Sequence, residues 1–410
     1  MAKEYKDLVV GLDIGTSKVM VVVGEVVAGG ELRIAGLGVA NSHGLKRGVV
    51  VNIDATVQSI QQALKEAEMM AACKIASVYT GITGSHIRGQ NSTGMVIVRD
   101  NREVTTTDVA RVVETAKAIN IPNDQRLLLV EPQEFVIDGH EVKEPIGMSG
   151  SRLEVRVHIV TGAQSAAENI VKCVRRCGLE VERLVLNPSA SAAAVLTDDE
   201  KELGVALVDI GAGTTDVQIY TEGSVRHTAV IPIAGDLITS DIAMALRTPT
   251  KDAEEIKVEY GVAKQLLADP AEQVEVPGLG DRAPRLLSRQ ALAGVIEPRV
   301  EEIFSLVHQV IRDSGFEERL SSGIVLAGGS ATMPGMIELG EDIFLKPVRT
   351  GQPTYAGALY DMVANPRSAT VMGLLEEARI ARSRGVKAAQ QAGSMKTVMS
   401  RAKDWFLGNF

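Results

Sequence analysis

Residues 11–18 read GLDIGTSK, and residues 207–216 read LVDIGAGTTD. Each is the crest of a longer pattern. LVVGLDIGTSKVMVVVGEV, residues 8–26, and LGVALVDIGAGTTDVQIY, residues 203–220, both run strand, Asp-Ile-Gly, small-residue turn, strand, the signature of a hairpin. The second copy follows the first by 196 residues, and its longer run of small residues predicts a turn two residues longer. Repetition at that distance predicts two duplicated lobes rather than a short-period solenoid.

The turns suit an anion. Gly15, Thr16, Ser17 and Lys18 offer successive backbone N–H groups and two hydroxyls, and Gly211, Ala212, Gly213, Thr214 and Thr215 offer the same from the opposite side. Asp13 and Asp209 stand at strand ends, where a hard carboxylate can hold Mg2+ through its waters. Neither stretch fits the Walker loop, which has the pattern GxxxxGK[ST] and leads into a helix. A third stretch, IVLAGGSATMPGMIELG at residues 324–340, predicts a buried strand ending at Gly328 and Gly329. Ser330 and Pro334 then set up a helix whose N-terminus can face a phosphate or leave bare backbone for an adenosine.

Between the hairpins, residues 54–72 have the spacing of an amphipathic helix, and a separate block runs from about residue 84 to 162. That block opens GSHIRGQNSTGMVIV, continues with a helix capped by Thr-Thr-Thr-Asp, and closes with two alternating runs, LLLVEPQEFVIDGHEV and SRLEVRVHIVT. It predicts a small inserted β/α domain. A helix at 164–177 stopped by Gly178, a strand at 181–186 and the small-residue helix SASAAAVL lead back into the second hairpin. Residues 233–318 read as mainly helical, broken by PGLGDRAP, with an amphipathic helix at 296–315. From Arg382 to Ser394 the apolar periodicity fades into a polar linker.

A chain of 410 residues with 45% hydrophobic and 23% charged residues can bury two substantial cores. Its net charge of -9 argues against nucleic acid as a partner, since a phosphate-tracking surface needs a basic excess. Such an excess occurs only at the end: seven basic residues against one acidic between Arg379 and Phe410 give +6, leaving -15 for the remainder. Cys73, Cys173 and Cys177 are too few for a disulfide framework. The start lacks a long apolar segment and no run of 18 apolar residues occurs, which predicts a reducing, cytoplasmic setting without a spanning helix.

The last residues, AKDWFLGNF, hold Trp405, Phe406 and Phe410 in a chain with 3% aromatic residues. On a helix, Met395, Val398, Met399, Ala402, Trp405 and Phe406 share one side, with Lys396, Lys403 and Asp404 towards the other and Arg401 near the boundary. This is the pattern of an in-plane anchor for an anionic membrane surface. A terminal helix docked on the protein's own core is the plainer alternative.

GLDIGTSK, LVDIGAGTTD and VLAGGSATMPG, with NPSASAAAVL at 187–196 and SATVMGLL at 368–375, resemble the five ATP-site motifs of the actin, sugar-kinase and heat-shock-chaperone superfamily. The inserted block, AEEIKVEYG at 253–261 and the aromatic basic tail narrow the resemblance to the FtsA family of bacterial cell-division proteins, over essentially the whole chain. The resemblance implies an α/β, two-lobed actin-like fold binding Mg2+ and ATP in the cleft. Gly15, Thr16, Ser17, Lys18, Gly211, Gly213, Thr214 and Thr215 would hold the phosphates, and Asp13 and Asp209 the magnesium shell. Gly328, Gly329 and Ser330 would lie against the adenosine, with Glu254 and Lys257 reaching towards ribose and base; a solvated i,i+3 ion pair is the alternative for those two. The lobe-linking segment offers Asn187 and Ser189 where the superfamily's kinases need a carboxylate, so at most slow ATP hydrolysis is expected, with ATP acting as a conformational and polymerisation ligand.

The implied division is a first lobe at 1–83 with 163–195 and 360–381, the insert at 84–162, a second lobe at 196–232 with 319–359, a helical subdomain at 233–318, a linker at 382–394 and a membrane helix at 395–410. Implied partners are the C-terminal tail of the tubulin-like protein FtsZ, met by Arg299 and Glu302, further copies of the chain, the inner face of the cytoplasmic membrane at the division site, and later division proteins. A soluble ATPase of the superfamily and a pilus-assembly-type adaptor are the competing expectations.

Overall fold

The computed structural model describes residues 7–27, 30–99, 103–280 and 282–383. Two five-stranded sheets repeat one plan. In the first, the order is Glu180–Leu186, Ser77–Ile82, Leu8–Ile14, Lys18–Val26, Leu32–Asn41; in the second it is Val348–Thr350, Ile324–Ala327, Val205–Ile210, Thr215–Thr221, Ser224–Ile231. In both, the hairpin and its next strand pair antiparallel, and parallel strands are added beyond the hairpin's first strand. The central strands are buried along nearly their whole length, the mark of a sheet covered on both faces.

Four helices clothe the first sheet. Ile53–Ala71 and Gln164–Arg176 close one core; Asn187–Val195 and Ala369–Ser383 close the other. These last two lie between the lobes in backbone contact, since a Cβ on Gly373 would fall 1.6 Å from the Ala190 carbonyl oxygen. The Ala and Ser residues of 187–196 therefore serve close packing. The second sheet is covered by Gly235–Leu246, Arg289–Ser314 and Met336–Phe344, whose apolar faces make the largest core.

The insert is a four-stranded antiparallel sheet in the order Arg88–Ile97, Arg152–Ala163, Gln125–Ile137, His140–Val142. Helix Thr106–Ala116 packs on it and opens with a capping box, in which Thr105 and Asp108 satisfy each other's backbone N–H groups. Its chain ends join the first lobe, yet its strands pack against Ser224–Ile231 of the second. A polar seam lines that contact. Gln218 Nε2 donates to Ser189 Oγ (3.1 Å) and Thr228 Oγ1 (3.2 Å). His158 sits 3.0 Å from Thr228 Oγ1 through Nε2 and 2.7 Å from Asn91 Oδ1 through Nδ1. Because Asn91 Oδ1 also accepts from Gln133, the Nδ1 of His158 is the donor and Nε2 accepts from Thr228. Burial holds the imidazole neutral, its pKa depressed to about 3.

Three sequence expectations need correction. The segment 233–318 contains a hairpin, Gln273–Val276 with Arg285–Ser288, on either side of PGLGDRAP. The long helix begins at Arg289 rather than near Ile296, because Ser288 caps it from Ala291 N and Pro298 is carried inside. After Gly328 the chain makes a 3-10 turn, Gly329–Thr332, and the α-helix starts only at Met336. All three cysteines are free, with Cys173 inside the first lobe's core.

Candidate functional site

The two hairpin turns meet across a cleft of about 250 Å³. Both turns close with the same hydrogen bond, Gly15 N to Lys18 O and Gly211 N to Thr214 O, each 2.9 Å, so the second turn equals the first in length and is not two residues longer as its run of small residues suggested. A side chain at Gly213 would strike the other lobe, with a Cβ 2.6 Å from Thr16 Oγ1 and 2.8 Å from Arg47 Cα. Glycine is thus required where the lobes approach. The third motif packs under the second hairpin, where Ser330 Oγ donates to Gly211 O (3.2 Å). Gly328 there has φ +85°, and a Cβ on it would lie 2.4 Å from Ile210 O.

Of the residues expected in a phosphate, magnesium or adenosine role, all but Thr215 line this cleft. Thr215 is fully buried and donates to Ile233 O at 2.8 Å. Strand alternation explains the correction: Thr214 and Asp216 face the cleft, and Thr215 faces away. Glu254 and Lys257 do form the i,i+3 pair, 2.6 Å apart, but in the cleft wall, where Lys257 also donates to Thr239 Oγ1 (2.8 Å) and Gly235 O (3.2 Å).

The charges are buried and unbalanced. Asp13 is pushed up to about 6, chiefly by burial, with Lys18 opposing and Asp209 adding to the shift. Burial also raises Asp209, against hydrogen bonds from Ser191 Oγ (2.5 Å) and Thr370 Oγ1 (3.4 Å). Lys18 is lowered by burial and donates to Arg367 O and to Met20 Sδ, the latter at 3.4 Å. Sequence reasoning passed over Asp216, which lines the cleft, accepts from Thr83 Oγ1 and Thr214 Oγ1, and is raised to about 7 by burial and the Asp209 charge. Counting by twos from Thr214 would have found it; Thr83, Thr370 and Arg367, which also line the cleft, come from distant loops and helices and left no such signal.

The cleft's donors and acceptors fit a phosphate chain with a hard cation. Turn N–H groups, hydroxyls and Lys18 suit phosphate oxygens, and the carboxylates are all oxygen ligands. Among the described residues no group of three or more His, Cys, Asp or Glu is placed to hold a bare metal ion, so a magnesium ion here would be carried through its waters and the phosphates.

Arg299 and Glu302 lie outside the cleft. Arg299 binds both oxygens of Asp241, at 2.6 and 3.0 Å, and also meets Glu302, so it ties the long helix to Gly235–Leu246. The residues expected in the membrane helix, Met395, Val398, Met399, Arg401, Ala402, Lys403, Trp405, Phe406 and Phe410, lie outside the described residues. Among the described residues no helix is long and apolar enough to cross a membrane.

A family model described as cell division protein FtsA matches residues 206–373, and one described as the SHS2 domain inserted in FtsA matches residues 84–161. Cell division protein FtsA of Pseudomonas aeruginosa is 55% identical, with 98% of each chain covered. The chain belongs to the FtsA family. The Escherichia coli member is 43% identical over 99% of each chain. The fold also resembles a PilM–PilN type IV pilus biogenesis complex, with TM-score 0.64, 19% identity and coverage of 94% of this chain and 100% of that one. MreB5 of Spiroplasma citri bound to ADP gives TM-score 0.58 at 14% identity, covering 95% of this chain and 100% of that one. The family member described here is therefore a cell-division protein with an actin-like fold carrying the SHS2 insert.

Proposed function

We propose that this chain binds Mg2+ and ATP between its lobes, polymerises, and anchors the FtsZ ring to the cytoplasmic face of the bacterial membrane at the division site. The observation that carries the nucleotide part is the convergence of both Asp-Ile-Gly hairpins and Gly328–Ser330 on one cleft. Gly15, Thr16, Ser17, Lys18, Gly211, Gly213 and Thr214 would meet the phosphates, Asp13 and Asp209 the magnesium waters, and Glu254, Lys257, Gly328, Gly329 and Ser330 the nucleoside. Bound nucleotide joins the two lobes and so favours one protomer shape, which makes it a ligand for assembly. The division of the chain into lobes, insert, helical subdomain, linker and tail stands with this proposal.

The tethering part rests on the sequence of residues 395–410. A helix of that length is marginal in water, so ordering it on the bilayer offsets part of the roughly 1.5–3 kcal/mol gained by burying each large side chain. One tail binds weakly, and a polymer presenting many binds firmly. Co-sedimentation with anionic liposomes in Mg-ATP, comparing the full chain with one ending at Ser394, tests it. Pelleting of the full chain alone is expected; if both stay in solution, the tethering role is wrong. For the FtsZ tail, Arg299 and Glu302 remain the proposed contacts. Arg299→Glu would also face Asp241 with a like charge, so peptide binding must be read beside the melting temperature.

A further inference from the structure

One tight turn of the first lobe carries a residue that its backbone does not suit. Leu45–Lys46 and Val49–Val50 pair antiparallel, Leu45 with Val50 and Lys46 with Val49, which leaves Arg47 and Gly48 as a two-residue loop. Both have positive φ, 49° and 76°. Such a loop ordinarily takes Asn-Gly, Asp-Gly or Gly-Gly, because a long side chain at its first position strains the backbone. An arginine there goes against the turn's own preference, and strain of this kind clusters at functional sites.

The turn stands where the lobes meet. Gly48 lines the cleft, and its N–H donates to Thr16 Oγ1 at 3.1 Å. Arg47 backs onto the other lobe, since a Cβ on Gly213 would lie 2.8 Å from its Cα and 3.0 Å from its N. The root of its side chain is therefore within reach of both hairpin turns. That side chain is exposed and makes no hydrogen bond or ion pair among the described residues. The other cations of the cleft are engaged or stand elsewhere: Lys18 donates to Arg367 O, Lys257 pairs with Glu254, and Arg367 lies beside Gly329 of the third motif. Against them the cleft sets Asp13, Asp209, Asp216 and Glu254, so a phosphate chain entering it adds negative charge to a site already rich in carboxylates.

We propose that Arg47 is a specificity-determining residue that binds the terminal phosphate of a bound triphosphate; this rests on the nucleotide role proposed above. Its guanidinium turns inward from the rim and forks onto two oxygens of that phosphate, the geometry in which arginine meets phosphate best. A triphosphate thereby ties the Arg47–Gly48 turn of the first lobe to the Gly213 turn of the second. A diphosphate, one phosphate shorter, leaves the arginine in solvent.

Calorimetric titration of the full chain in Mg2+ with a non-hydrolysable ATP analogue, and separately with ADP, tests this. Arg47→Asn should weaken the triphosphate about 10–100-fold, the loss of a charged hydrogen-bonded contact, while moving Kd for ADP by less than about threefold. It should melt no lower than the parent, because the turn accepts Asn more readily than Arg, and this separates a lost contact from a damaged fold. Arg47→Lys keeps the charge without the fork and should fall between parent and Arg47→Asn. Arg47→Gly, which also suits the turn, carries the test if Arg47→Asn fails to fold. Lys46→Ala removes the neighbouring exposed cation and should bind both nucleotides within about threefold of the parent. A triphosphate loss below about tenfold in Arg47→Asn, a comparable loss for ADP, or a comparable loss in Lys46→Ala overturns the proposal. A parent that binds neither nucleotide overturns the nucleotide role itself.

Discussion

The first hairpin brings a lysine and one aspartate to the cleft, and the second brings two aspartates. Lys18 lies buried beside Asp13, while Asp209 and Asp216 face each other and take their hydrogen bonds from hydroxyls. Each turn closes by the same hydrogen bond, so the difference is one of charge rather than backbone. Both turns suit phosphates and both strand ends bring an aspartate, but the first adds a lysine and the second a further carboxylate. A duplicated motif has thus become two complementary halves, and neither alone is a site.

The sharpest way to break this pairing is to hold the halves apart. Gly213→Val would push side-chain atoms onto Thr16 and the Arg47 backbone, and misplacement of that size is expected to weaken Mg-ATP binding about 100-fold or more by calorimetry. Next comes the charge of the first half. Lys18→Met removes a charged hydrogen-bond donor worth about 1.5–3 kcal/mol, so affinity should fall roughly 10–100-fold; an unchanged Kd would mean that the lysine serves only Asp13.

Smaller effects separate the cleft from the insert. His158 has its folded pKa depressed to about 3 from 6.5. The unfolded chain therefore binds the extra proton first, and the stability that neutral His158 supplies is present above pH 6.5 and lost as pH falls towards 3. His158→Leu should be less stable than the parent at pH 7 by about 1–3 kcal/mol, because Thr228 and Asn91 lose a partner. The deficit should shrink by about 1 kcal/mol between pH 7 and 5.5, as the parent alone bears that cost. Parallel pH curves from urea melts would contradict the neutral seam. Thr105→Ala removes one cap of the insert's helix and should cost about 1 kcal/mol in the same melts, with no change in ATP binding.

The sequence made the hairpins, the third motif and the insert legible because repetition and alternation are local properties. Other features depended on neighbours remote in the chain. The insert reads as a separate small domain, but its docking on Ser224–Ile231 comes from side chains such as His158, Gln218 and Thr228 that meet only in three dimensions. Thr214 and Thr215 look equivalent in a run of two threonines, and only the register separates the one in the cleft from the one behind it. The hairpin of 273–288 was obscured by short strands around a Pro- and Gly-rich turn, and the start of the long helix by Pro298. Asn187 carried a signal, as the polar residue at the head of a run of Ala and Ser, but that its Oδ1 is buried and accepts no hydrogen bond among the described residues is visible only in the folded chain.

The complementarity of the two halves is tested most directly by titrating the full chain with ATP in Mg2+ and again in EDTA. If both turns receive the phosphates while Asp13 and Asp209 receive the cation that the phosphates carry, removing Mg2+ should weaken binding by about 5–150-fold, the usual range for two coupled ligands. Equal affinity in both conditions would leave Asp13 and Asp209 without the cation assigned to them, and would contradict the account.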